Sequence, residues 1–227
     1  MGLISILLFP SQSVEMIKSS LYRDTLLVVL GLLLVRKIII SVTVMTFLQS
    51  YGFDQIVDVM NHNSEKGGEN YVFMLNRHAL NMTMNWLCMT KHLPNVHDSS
   101  IFVTLDSVSS QTLARLWPDL RILSLNIQSL QEPFNYGDGP YQLFYLLRAN
   151  LAFAFLQKGV TFWMTQQDTF WRSSPASLDI SRFSDADIIF DRGSDANVTF
   201  IAGGYYRARP TPGAISFFQE LSDDLSW

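Results

Sequence analysis

After Tyr71 the chain alternates between short continuous apolar runs and longer stretches whose apolar positions recur every three or four residues. Tyr71–Leu75, Ile101–Leu105 and Arg121–Leu125 read as buried strands, as do Val160–Met164, Asp187–Phe190 and Phe200–Tyr206. Between them, Asn81–His92, Ser109–Trp117, Gln142–Lys158 and Gly213–Leu225 read as helices. The inward positions of the first are Met84, Leu87 and Cys88, and those of the second are Leu113 and Leu116, with Pro118 as its stop. Gly159 closes the long helix ending at Lys158. Strands that are apolar throughout, rather than at alternate positions, belong to sheets covered on both sides, as parallel sheets are. The pattern therefore predicts an α/β domain, a mainly parallel sheet with helices on both faces, over residues 71–227.

Before Tyr71 the pattern differs. Leu26–Val35 and Ile38–Leu48 are apolar runs separated by Arg36 and Lys37. Together they are long enough for a bilayer span of about 20 residues. Arg36 and Lys37 would then fall near its middle, each costing roughly 2.5–3.5 kcal/mol on insertion. Alternatively, Ile38–Leu48 is the hydrophobic core of a signal peptide, with the two cations as its positive flank. In both readings Lys18, Arg23, Arg36 and Lys37 hold the N-terminus cytosolic and send the rest into the lumen. The expected organisation is a cytosolic segment 1–25, a single-pass type II signal-anchor 26–48 and a polar stem 49–70 ahead of the α/β domain. The stem reading rests on Asn61–Glu69, whose composition suits a flexible connector. Asn81-Met82-Thr83 and Asn197-Val198-Thr199 are glycosylation sequons, which fits an ER or Golgi lumen.

Charged residues are only 16% of the chain, below the roughly 25% of an ordinary soluble domain. The apolar excess lies largely in the first fifty residues, so the remainder keeps an ordinary globular composition. Net charge is −4 and no basic stripe occurs, which argues against a nucleic-acid partner. The single cysteine, Cys88, cannot form an intrachain disulfide and is read as a small buried hydrophobe. His62, His78, His92 and His97 lack metal-ligand spacing and are read as surface or capping residues.

Open α/β sheets bind ligands beyond the carboxyl ends of their strands. That rule separates two acidic candidates. Asp185-Ala186-Asp187 precedes a strand, so it belongs at the amino edge; Asp191, at the far end of that strand, is better placed. Gln166-Gln167-Asp168 follows the strand Val160–Met164 and lies at the carboxyl edge. Asp168 is either a ligand to a nucleotide or metal, or a cap for the loop. Asp106, ending the second strand, could face a nucleotide. Arg148 sits in an otherwise apolar helix and needs a partner, either a phosphate or an internal one. Gly203-Gly204 either admits a ligand close to the backbone or marks a bulge. No Ser/His/Asp or Cys/His arrangement, GxxxxGK[ST] loop or GxGxxG fingerprint occurs, which weakens hydrolase, kinase and dehydrogenase readings.

The segment from Gly159 to Trp171, with Pro175 beyond it, resembles the nucleotide-diphospho-sugar transferase family of the GT-A type. In that family a buried strand ends in Asp-x-Asp, followed closely by an aromatic residue and a proline. Here Asp168 stands at the second acidic position and Gln166 at the first. Asn85-Trp86-Leu87, Leu105-Asp106, Arg148, Ala202–Arg207 and Pro210-Thr211 extend the resemblance from about Tyr71 to the end. It implies a glycosyltransferase that takes a nucleotide sugar, a UDP-sugar, and delivers the sugar to a glycan or glycoprotein. It implies Mn²⁺ or Mg²⁺ held by Asp168 against the diphosphate. It implies a nucleotide-sugar site at Asp106, Arg148, Gln166 and Asp168, and an acceptor side at Gly203, Gly204 and Tyr205. Gln166 offers a neutral oxygen where the family has a charge, so a second reading is a non-catalytic lumenal relative. GT-A enzymes often draw a further metal ligand from a later C-terminal segment. The resemblance therefore implies either a truncated product or a site completed differently.

Overall fold

The computed structural model describes residues 22–35, 51–193 and 201–226. Residues 22–35 are helical and belong to a unit of their own. Among the described residues no helix is long and apolar enough to cross a membrane. Residues 36–48 of the expected anchor, and Asn197, lie outside the described residues.

The second unit opens with α1 (Tyr51–Glu65), in the segment expected to be a polar connector. Its sequence conceals an amphipathic helix. Phe53, Ile56, Val57 and Met60 recur at helical spacing and are buried in the domain core. The polar residues read as a stem occupy the outer face and the turn that follows. That turn is itself pinned: the side-chain amide of buried Asn70 donates to Ser64 Oγ at 2.9 Å and to the Thr161 carbonyl at 2.9 Å.

The sheet is built from β1 (Tyr71–Leu75), β2 (Ser100–Thr104), β3 (Arg121–Ser124), β4 (Phe162–Thr165), β5 (Ile188–Arg192) and β6 (Ile201–Ala208). The spatial order is β3-β2-β1-β4-β6-β5. β3, β2, β1 and β4 run parallel, and β6 is antiparallel to both of its neighbours, so the sheet is mainly parallel, as expected. The crossovers are α2 (Leu80–Thr90), α3 (Ser107–Leu116) and α4 (Gly139–Gln157), and α5 (Pro212–Leu225) follows β6. Gly159, at φ 79°, supplies the left-handed turn that ends α4 and aims the chain into β4.

Each face of the sheet carries its own core. Val72, Met74, Ile101, Val103, Phe162 and Met164 face α1, α4 and α5. Tyr71, Phe73, Leu75, Phe102 and Trp163 face α2 and α3. This two-sided burial is why the strands read as unbroken apolar runs. Two helix faces differ from the expected ones. In α2 the inward residues are Thr83, Trp86, Leu87 and Thr90, and Cys88 is exposed. One residue beyond Leu87, it is turned about a quarter of the way round the helix, away from the sheet. In α3 Ser109 and Leu113 are buried, whereas Leu116 is 51% exposed.

Candidate functional site

Strands β1, β2 and β3 are laid down in one direction; the chain then returns through α4 and adds β4 on the other side of β1. The reversal makes the carboxyl ends of β1 and β4 a topological switch point, where a crevice opens because the connections leave in opposite directions. Asn76 and Arg77 follow β1 there, and Gln166, Gln167 and Asp168 follow β4. The two ends are tied together, since Gln167 Nε2 donates to the Met74 carbonyl at 2.9 Å.

Asp168 occupies the turn after β4. The turn is shaped without its carboxylate: Thr169 Oγ1 donates to the Gln166 carbonyl at 2.6 Å, and Trp171 Nε1 donates to Thr169 Oγ1 at 3.1 Å. Asp168 is exposed and has no hydrogen-bond or ion-pair partner among the described residues. A carboxylate that caps nothing, in the turn at the carboxyl edge of β4, is free to meet a ligand.

Gln166 packs against the neighbouring strand β6. Its side-chain amide lies over Gly204, so close that a β-carbon at 204 would collide with Oε1. Arg148 reaches the same glycine from α4, donating through Nη2 to the Gly204 carbonyl. The guanidinium is buried, at 3% exposure, and lies 5.7 Å from the Tyr206 ring centroid. Arg148 therefore finds an internal partner, a backbone carbonyl with an aromatic face beside it. Residues 203–205 form a bulge: Phe190 pairs with Tyr206, but Asp191 already pairs with Ala202. The extra residues of β6 bow away from β5, which two glycines in succession permit.

Asp106 also finds its partners within the protein. It is the N-cap of α3, 2% exposed, with Oδ1 accepting from Ser109 N at 2.8 Å. Oδ2 accepts from Arg77 N at 2.7 Å and from Ser109 Oγ at 2.9 Å. Expected as a nucleotide contact, it joins the exit of β1 to the start of α3 through these bonds. A buried carboxylate with both oxygens engaged has little left to offer a ligand.

The spacing did not single out Arg77. It stands beyond β1 at the switch point, with its guanidinium partly exposed and paired to Glu132. The available signal was a lone cation immediately after the first buried run. Asp187, by contrast, lies before β5 at the amino edge, its carboxylate against Gly213 in the first turn of α5, where the helix dipole suits it. Of the sequons, Asn81 is exposed in the first turn of α2, whereas Thr83 is buried with Oγ1 donating to the Ala79 carbonyl at 2.9 Å.

Among the described residues no three His, Cys, Asp or Glu side chains converge to hold a metal ion. Mg²⁺-type sites commonly combine one or two carboxylates with substrate phosphates. The chemistry of Asp168 suits that shared arrangement, not a cage built wholly of protein.

A six-stranded, mainly parallel sheet with helices on both faces defines an open α/β domain. A family model of the nucleotide-diphospho-sugar transferases matches residues 95–226, more than half of the chain, and the chain belongs to that family. Neither the curated proteins nor the solved structures include a match. Membership implies a glycosyltransferase-like function with a nucleotide-sugar donor.

Proposed function

We propose that the chain transfers a sugar from a nucleotide-diphospho-sugar, a UDP-sugar, to a hydroxyl of a glycan or glycoprotein. The observation that carries this reading is Asp168, exposed and unpartnered in the turn that leaves β4 at the switch point. The diphosphate would enter the crevice between Asp168 and Arg77. Mn²⁺ or Mg²⁺, bound by Asp168 together with the diphosphate, would supply charge neutralisation as the diphosphate departs. Gln166 and Arg148 hold the Gly203-Gly204 bulge beside the crevice, and through it they position Tyr205 on the acceptor side. The apolar run 26–48 and its cations support a membrane-anchored lumenal placement. Helix 22–35 is consistent with this, because Leu26 through Leu30 all lie exposed around it, a surface suited to hydrocarbon.

A second reading has its own supporting observation. Gln166 is neutral and turned onto Gly204, so the first acidic position of the family motif contributes no charge to the crevice. A relative that keeps the fold and binds a glycan without transferring it would look the same at that residue.

Thermal unfolding of the full chain with UDP, Mn²⁺ and both together separates the two. A ligand that binds only the folded state raises the midpoint. UDP with Mn²⁺ is expected to raise it, Mn²⁺ alone to leave it in place, and Asp168→Ala to remove the response. A UDP effect indifferent to both EDTA and Asp168→Ala would overturn the metal-supported donor site. No response to UDP at all would favour the binding protein.

A further inference from the structure

One groove outside the switch-point crevice is unused by the donor chemistry. It begins one residue past Asp168, where the loop between β4 and β5 folds back over the outer strands. Its volume is about 320 Å³, at the lower end of the roughly 300–1,000 Å³ of small-ligand pockets. Phe170 and Trp171 line it from the loop, and Tyr205 and Asp191 from the sheet. The β6 bulge creates the opening: with Gly203, Gly204 and Tyr205 unmatched on β5, the strands part beside Asp191.

The lining is of two kinds. Phe170 lines the groove and is 69% exposed, so its ring is accessible to a ligand. Trp171 is fixed by the Thr169 bond and by edge contact with Tyr71 at 5.0 Å. Asp191 also lines the groove; it is exposed, and its Oδ1 accepts from the amide of Arg192 at 2.7 Å. Burial raises the Tyr205 phenol above its ordinary range, and the nearby Asp191 carboxylate adds to that shift. Arg172 brings a single positive charge to the same groove, so it is close to neutral overall. A diphosphate, with its dense negative charge, is poorly matched there. A ligand with a flat apolar C–H face and a rim of hydroxyls matches both kinds of lining.

We propose that this groove is the acceptor site and takes a neutral pyranose ring, with Phe170 stacking on its C–H face and Asp191 accepting a hydrogen bond from a ring hydroxyl. The inference rests on the transferase reading and adds the acceptor class and its contacts to it. It also moves the acceptor contacts from Gly203 and Gly204, which shape the bulge, to side chains on either side of it.

The test is saturation-transfer NMR on the full chain with the methyl glycosides of galactose, glucose, mannose and xylose, in the presence of UDP and Mn²⁺. At least one glycoside should bind. Phe170→Ala and Asp191→Asn should each weaken it about tenfold or more, leaving the unfolding midpoint and the UDP response in place. Both side chains are exposed, so neither change threatens folding. Asp168→Ala should remove the UDP response and keep the glycoside signal. A protein that binds UDP but none of the glycosides overturns the groove alone, as does glycoside binding insensitive to both groove variants. Glycoside binding through Phe170 and Asp191 without any UDP response keeps the groove and overturns the transferase reading.

Discussion

At the scale of single residues, three polar side chains that follow buried strands have separated according to what surrounds them. Asp106 and Asp168 both stand beyond strand ends, yet only Asp168 keeps a free carboxylate. The difference is what comes next. After Asp106 a helix begins at once, and its unsatisfied amides capture the carboxylate. After Asp168 a turn follows whose bonds come from Thr169 and Trp171. Asp106→Ala should therefore cost about 1–3 kcal/mol, from the lost cap and the stranded Arg77 amide. Chemical denaturation should show the loss, and UDP titration well below the transition should show unchanged affinity. Gly204→Ala tests the third side chain, Gln166. The colliding atom is the far end of a flexible amide, so the stability loss should stay near 1 kcal/mol or below. Gln166 must swing off the bulge, and the response to UDP and Mn²⁺ should change. Denaturation and thermal shift on the one variant read the two effects separately. Cap, free carboxylate and internal brace could not be told apart in the sequence, because each depends on which backbone amides lie within reach.

Among the elements, strands were easier to read than helix faces. Every expected strand of the α/β domain is present; β1, β2 and β4 are buried on both faces, which leaves no ambiguity of phase. Helix α3 shows the contrary case. Leu113 and Leu116 are three residues apart and equally plausible as an inward pair, but the sheet accepts only Leu113. Leu113→Ala should cost about 2–5 kcal/mol, and Leu116→Ala should stay within about 0.5 kcal/mol, a contrast that denaturant midpoints will register directly. Cys88 is outward for the same reason: helical phase is set by Trp86 and Leu87 packing against the sheet, not by how apolar the segment is as a whole. α1 was missed altogether, since its polar tail outweighed the Phe53–Met60 stripe on composition, and only contact with the core gives that stripe its value.

For the whole molecule, the two-sided core places aromatic hydroxyls where ionisation is costly. Tyr206, 4% exposed, is pushed up to about 12 by burial, partly relieved by Arg148. Burial shifts Tyr205 and Tyr71 in the same direction. A phenol whose folded value is raised gives its full stability below its unfolded value, near 10. Above that pH the unfolded chain releases the proton while the folded one holds it, and the contribution fades until about pH 12. Unfolding should thus become easier through this window, by roughly 2–3 kcal/mol for Tyr206 alone. Tyr206→Phe should flatten that slope, as urea titrations between pH 9 and 11.5 would reveal.

The sequence by itself determined the class of fold and placed Asp168 just beyond a strand, because unbroken apolar runs and the strand-then-acid order are local properties. It also carried the transferase resemblance, through Asp168, Trp171 and Pro175. Only the tertiary structure decided which polar groups were spent on the fold. Asp106 was taken up by a helix amide and Arg148 by a carbonyl fifty-six residues away in sequence. The β6 bulge, which parts two strands beside Asp191, exists only once β5 and β6 are paired.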